Sequence, residues 1–178
     1  MHSILSLLRQ TNERLAVAAG GLLLLSVCVT LFDVVARPLG MSLGGTDELS
    51  GYAMAIATGW GVSYALTMQA HVRIDLLRAR GGPRVQGWFD IVAILSVAAV
   101  SLTIAYRAWP VLGKTIKSGA TANTTLETPL WIPQSLWLVG WVWFAASAVL
   151  LSLGALWFLA TSQHSNIDNF VGLRGEDE

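Results

Sequence analysis

Charge is almost missing from the apolar parts of this sequence. Four hydrophobic stretches, at about 15–35, 49–68, 88–109 and 136–159, are each long enough to cross a bilayer, and none carries an ionisable side chain near its middle. A hydrocarbon core of about 30 Å takes roughly 20 helical residues. A carrier that moves ions by itself keeps an ionisable group or a broken helix at that depth. The absence therefore points away from an autonomous transporter and toward a helper embedded in a membrane.

Other absences narrow the chemistry. Charged residues make up 12% of the chain, and eleven basic side chains cancel eleven acidic ones, so no net field draws nucleic acid. The single cysteine, Cys28, excludes an intrachain disulfide and a cysteine-built metal site. The three histidines, His2, His71 and His164, lie outside the apolar stretches, so helices facing each other across a haem have no axial ligands. No glycine-rich phosphate loop follows a strand, and no Ser/His/Asp grouping stands out. The sequence names no catalytic, cofactor-binding or metal-ligating residue, and His71 beside Arg73 and Asp75 reads as structural. Asn123-Thr124-Thr125 matches a glycosylation sequon by chance.

What is present is hydrophobic, at 54% of residues, and rich in tryptophan, with eight. Trp88, Trp109, Trp131 and Trp137 flank the apolar stretches, where an amphipathic indole favours the headgroup level. The pattern predicts an all-α integral membrane protein: one four-helix membrane domain over 1–178, with a flexible polar tail at 161–178. The first apolar run continues for about 21 residues, longer than a cleaved signal's 7–15-residue core. Residues 1–14 are mildly amphipathic and read either as a short interfacial helix or as an extension of the first span.

The connections carry the polar chemistry. Arg37-Pro38 predicts the end of the first helix, since proline cannot continue the hydrogen-bond ladder. Thr46 suits an N-cap, and Asp47 and Glu48 follow in the positive first turn of the second helix. Pro110 predicts the end of the third helix, with a polar connection over 114–128. Gly20, Gly21, Gly59 and Gly61 read as ordinary intramembrane packing. With the N-terminus inside, the inner side holds seven basic residues, Arg9, Arg14, Arg73, Arg78, Arg80, Arg84 and Arg174, and the outer side four, Arg37, Arg107, Lys114 and Lys117. The positive-inside rule then predicts both termini in the cytoplasm of a bacterial inner membrane.

Asp33 and Arg37 share a helix face at the favourable i, i+4 spacing near the outer interface. With Asp47, Glu48 and Arg107 they form an expected outer belt. Its groups either orient the helices, pair with each other, or meet a partner. Asp90 sits at the inner end of the third span.

These pieces resemble one family, the DctQ-like small membrane subunit of tripartite ATP-independent periplasmic (TRAP) transporters. Arg37 after an apolar span, Thr46-Asp47-Glu48-Leu49, Gln69-Ala70-His71-Val72-Arg73-Ile74-Asp75-Leu76-Leu77 and Leu126-Glu127-Thr128-Pro129-Leu130-Trp131-Ile132-Pro133 are similar to that family's motifs in order and spacing. Pro38 departs from it, since an aromatic residue is common there. The resemblance implies a chain that braces a large multi-spanning subunit while sodium-driven uptake brings in an organic anion, a carboxylate or sialic-acid-like solute, delivered by a periplasmic solute-binding protein. It implies no cofactor and no enzyme activity. Asp33, Arg37, Asp47, Glu48, His71, Arg73, Asp75 and Arg107 would serve the partner interfaces or the helix ends. Two other readings of the apolar pattern are a structural subunit of another complex, such as a respiratory one, and a small independent exporter, which would need a carboxylate deeper than Asp33.

Overall fold

The computed structural model describes residues 2–68 and 82–160. His71, Arg73 and Asp75, the rest of the arginine-rich connection before Gly82, and the tail after Ala160 lie outside the described residues. Within them the chain forms four long helices: α1 (His2–Ala36), α2 (Thr46–Thr67), α3 (Pro83–Ser118) and α4 (Trp131–Ala160). Three of them, α1, α3 and α4, are long and apolar enough to cross a membrane. At 22 residues α2 has the length, roughly 33 Å. Its composition is less apolar because Gly, Ser, Thr and Tyr fill many of its positions. Its small residues, Gly59 among them, let it pack closely in the middle of the molecule.

The helix ends show where sequence signals prevail. α1 is one continuous helix of 35 residues, so residues 2–14 extend the first span and are not a separate interfacial helix. Leu8 and Asn12 on that extension are buried, which ties it to the rest of the molecule. The helix stops before Pro38, as expected. A short 3-10 turn over Arg37–Leu39 closes on Gly40 in the left-handed region. The N-cap of α2 is Gly45, not Thr46, and no side chain caps that end. The Thr46 hydroxyl is taken by Asp33 instead. Pro110 does not end α3, which runs through it to Ser118. A proline deletes one ladder hydrogen bond, and a helix-compatible stretch on both sides carries the helix past it. Only residues after Ser118 form the connection to α4, pinned by an antiparallel bridge between Thr121 and Pro129.

The helices contact one another in the order α1–α2–α4–α3, and no comparably extensive contact closes the row between α1 and α3. The apolar core lies toward the end bearing the N-terminus. There Leu8 of α1, Leu66 of α2, Ile91, Ile94 and Ala98 of α3, and Phe144, Ala148, Leu151 and Ala155 of α4 meet. Few residues in the apolar stretch of α1 beyond that core are fully buried: one face is half-buried against α2, and Val17, Leu24, Leu31 and Val35 are exposed. In a bilayer the exposed face meets lipid or another protein.

At the centre α2 and α4 approach through two glycines. A Cβ on Gly140 would lie 2.9 Å from the backbone of Gly59 and 3.1 Å from the Trp60 ring. The Trp60 indole N–H donates to the Leu136 carbonyl at 3.1 Å across the same seam. Trp137, Trp141 and Phe144 continue it as two edge-to-face ring pairs.

Candidate functional site

The polar chemistry gathers in two places, one at the α1–α2 corner and one near the opposite ends of those helices. At the corner Asp33, though in an apolar helix, is fully buried. It accepts from Arg37 Nη2 at 2.6 Å, from the Leu43 backbone N–H at 2.7 Å, and from the hydroxyls of Thr46 at 3.1 Å and Ser42 at 3.2 Å. Burial of a carboxylate is costly unless its oxygens are satisfied. Here four donors from three segments converge on it, so it fixes the angle between α1 and α2. The Arg37 side chain stays 57% exposed while Asp33 is enclosed.

Glu48, one turn into α2, reaches the α3–α4 connection. Its carboxylate accepts from the Tyr52 hydroxyl at 2.6 Å and from the Thr124 hydroxyl. The hydrogen bond from Thr124 does most to hold its pKa below the ordinary 4.5; Tyr52 adds to this, desolvation partly opposes it, and Thr128 contributes least. Beside it Gly45 adopts a φ of +75°, and a Cβ there would strike the Leu126 side chain at 2.5 Å. Glycine is needed at this position for conformation and for room. The α3–α4 connection is thus clamped onto the corner by one carboxylate and one side chain seated over a glycine.

Sequence reasoning missed the second polar centre. Asn12 is fully buried. Its amide donates to the Ser63 carbonyl at 3.0 Å and to Thr67 Oγ1 at 3.4 Å, and its Oδ1 accepts from the Trp143 indole at 2.7 Å. One side chain of α1 therefore holds both α2 and α4. The signal was present but ambiguous: Asn12 stands in the polar run Arg9-Gln10-Thr11-Asn12-Glu13-Arg14, which reads as solvated.

The expected belt is only partly drawn together. Asp33 and Arg37 pair. Asp47 is exposed in the first turn of α2, and Glu48 turns to the connection. Arg107 is exposed on α3, the far flank of the row, and makes no ion pair with the others. Asp90 is buried near the start of α3. Among the described residues no three His, Cys, Asp or Glu side chains gather as a metal site would require.

The sequence that builds these four helices and the corner matches a known family. The family model described as tripartite ATP-independent periplasmic transporters, DctQ component, matches residues 26–158, about three quarters of the chain. The chain belongs to the DctQ family. It is the small membrane subunit of a TRAP transporter, a transport component with membrane-spanning helices. No curated protein and no solved structure matches the chain. The DctQ match begins at Ser26 and so includes Asp33, the corner, the α3–α4 connection and the glycine seam, but not Asn12.

Proposed function

We propose that this DctQ chain braces the large multi-spanning subunit of its transporter during sodium-driven uptake of an organic anion, a carboxylate or sialic-acid-like solute handed over by a periplasmic binding protein. One observation carries the reading. The buried carboxylates among the described residues, Asp33 and Asp90, lie near helix ends, and Asp33 is saturated by four donors. A sodium or anion site at membrane depth draws on a charged group or a broken helix there, and the buried side-chain atoms left without a partner among the described residues, Ser63 Oγ, Gln134 Oε1, Trp141 Nε1 and Ser147 Oγ, are neutral and belong to continuous helices. The row instead offers long apolar flanks, suited to packing against another membrane protein.

In this reading the chain lies in the bacterial inner membrane, and its arginine distribution supports both termini in the cytoplasm. The α1–α2 corner and the clamped connection then face the periplasm. Exposed Asp47 and Arg107 contribute to docking the binding protein, while Glu48 acts by shaping the connection. His71, Arg73 and Asp75 stabilise the cytoplasmic end and the contact with the large subunit.

Purification in mild detergent tests this directly. A large multi-spanning protein should come with the chain, and vesicles holding both should accumulate solute only with sodium and the binding protein. Uptake by vesicles containing this chain alone, or co-purification with redox enzymes in place of a carrier, refutes it.

A further inference from the structure

Between α1 and α2, on the side of the core that the other helices leave open, runs a groove of about 250 Å³. Leu22, Ser26 and Val29 line it from α1, and Leu49, Ala53 and Ile56 from α2. Nearly all of its surface is hydrocarbon. From Thr46, which also lines it, to Ile56 the groove follows α2 for ten residues, about 15 Å. That equals one leaflet of a hydrocarbon core about 30 Å thick.

The groove has a polar end. Leu22, Ser26, Val29 and Asp33 recur at intervals of three and four residues, so they form one stripe along α1, and Arg37, first residue of the 3-10 turn, continues it through its contact with Asp33. Arg37 therefore stands directly beyond the groove, where the apolar parts of both helices give way to the corner. Helical side chains lean toward the N-terminus, and the guanidinium sits over the turn of Asp33, as their 2.6 Å contact requires. One of its N–H groups is used by Asp33, and the others have no partner among the described residues. Asp33 is enclosed, so Arg37 presents positive charge outward. Asp47 is exposed and directly follows Thr46, which lines the groove. The mouth thus carries one cation and one anion above a leaflet-long apolar slot.

We propose that this slot holds one acyl chain of a zwitterionic, amine-bearing glycerophospholipid, with the lipid phosphate on Arg37 and its amine toward Asp47. Transfer from bilayer to slot gains little from the hydrophobic effect, because lipid tails are already apolar. Residence comes from charge-assisted hydrogen bonds to the phosphate and from dispersion along the chain. Phosphatidylglycerol keeps the phosphate contact with Arg37 but has no amine to offer Asp47, so it is held less well. The bound lipid fills the seam where α1 has left the core, so α1 and α2 stay packed over their whole length.

The test uses the full chain, purified with its membrane partner, stripped of lipid, and supplied with phosphatidylethanolamine or phosphatidylglycerol before native mass spectrometry. The wild type should retain phosphatidylethanolamine over phosphatidylglycerol. Arg37→Gln should lower its retention about tenfold, the size expected for one charge-assisted hydrogen bond. Ser26→Phe, which blocks the slot without touching the mouth, should abolish it, and Lys117→Gln, exposed on α3 at the other flank, should leave lipid retention unchanged. Retention unaffected by Ser26→Phe, or equal or stronger retention of phosphatidylglycerol, overturns the proposal. So does cross-linking of Ser26→Cys to a helix of the large subunit, which would mean that protein fills the slot. The inference needs the chain to span a membrane but not to take part in transport. If no partner purifies with it, the function proposed above fails, and the same measurement in nanodiscs still decides the lipid.

Discussion

Asp33 accepts four hydrogen bonds inside an otherwise apolar helix, and its partners are unequal. Removing the carboxylate orphans the buried Thr46 hydroxyl and takes the acceptor from the Leu43 N–H and the Ser42 hydroxyl, whose residues are exposed. Removing the Arg37 charge leaves those three bonds in place, and water can reach the site of the lost guanidinium. Orphaned buried donors cost more than a lost exposed partner. Asp33→Ala should therefore lower the melting temperature in detergent clearly more than Arg37→Gln, as followed by circular dichroism. Equal losses would assign the corner to the ion pair alone. Glu48 adds a pH dependence of definite sign. Its folded pKa is depressed, so its contribution is complete above the ordinary value of 4.5 and is lost as pH falls through the lower folded value. Amide protection factors in residues 119–130, which remove the intrinsic pH dependence of exchange, should hold from neutral pH down to 4.5 and fall in stronger acid. Glu48→Gln should remove this acid-dependent loosening. At this scale the Asp33–Arg37 pair was legible, because i, i+4 spacing forces proximity. Asn12 was not, since nothing local tells a buried asparagine from a solvated one.

For whole helices, two glycines with opposite surroundings allow a clean comparison. Gly140 meets the backbone of Gly59, whereas Gly21 has nothing within 4 Å. Gly140→Ala must force α2 and α4 apart or shift Trp60, and should cost about 1–3 kcal/mol, the usual range for overpacking. Gly21→Ala should be neutral or gain up to about 1 kcal/mol from helix propensity. Unfolding in detergent measures both, and a Gly140→Ala as stable as the wild type would contradict the close approach. Four long apolar runs made the helices readable. The stop at Pro38 could be read as well, because Gly40 follows and adopts the left-handed region. Pro110 misled because proline alone does not end a helix when the residues on both sides favour it. Thr46 misled because an N-cap preference yields to a buried carboxylate in need of donors.

The order of the helices in the row could not be read from the chain, since apolar flanks fit several neighbours equally well. Contacts within the α1–α2 and α4–α3 pairs are more extensive than those of α2 with α4. The molecule is therefore two hairpins joined at a glycine seam, by Asn12, and by the clamp at the corner. Joined this way, the pairs should separate before either comes apart. Drawn out of a bilayer by its C-terminus under force, the chain should surrender α4 and α3 in one event and α1 and α2 in a second. A force–extension trace with a single rupture would mean that the join is as strong mechanically as the hairpins themselves.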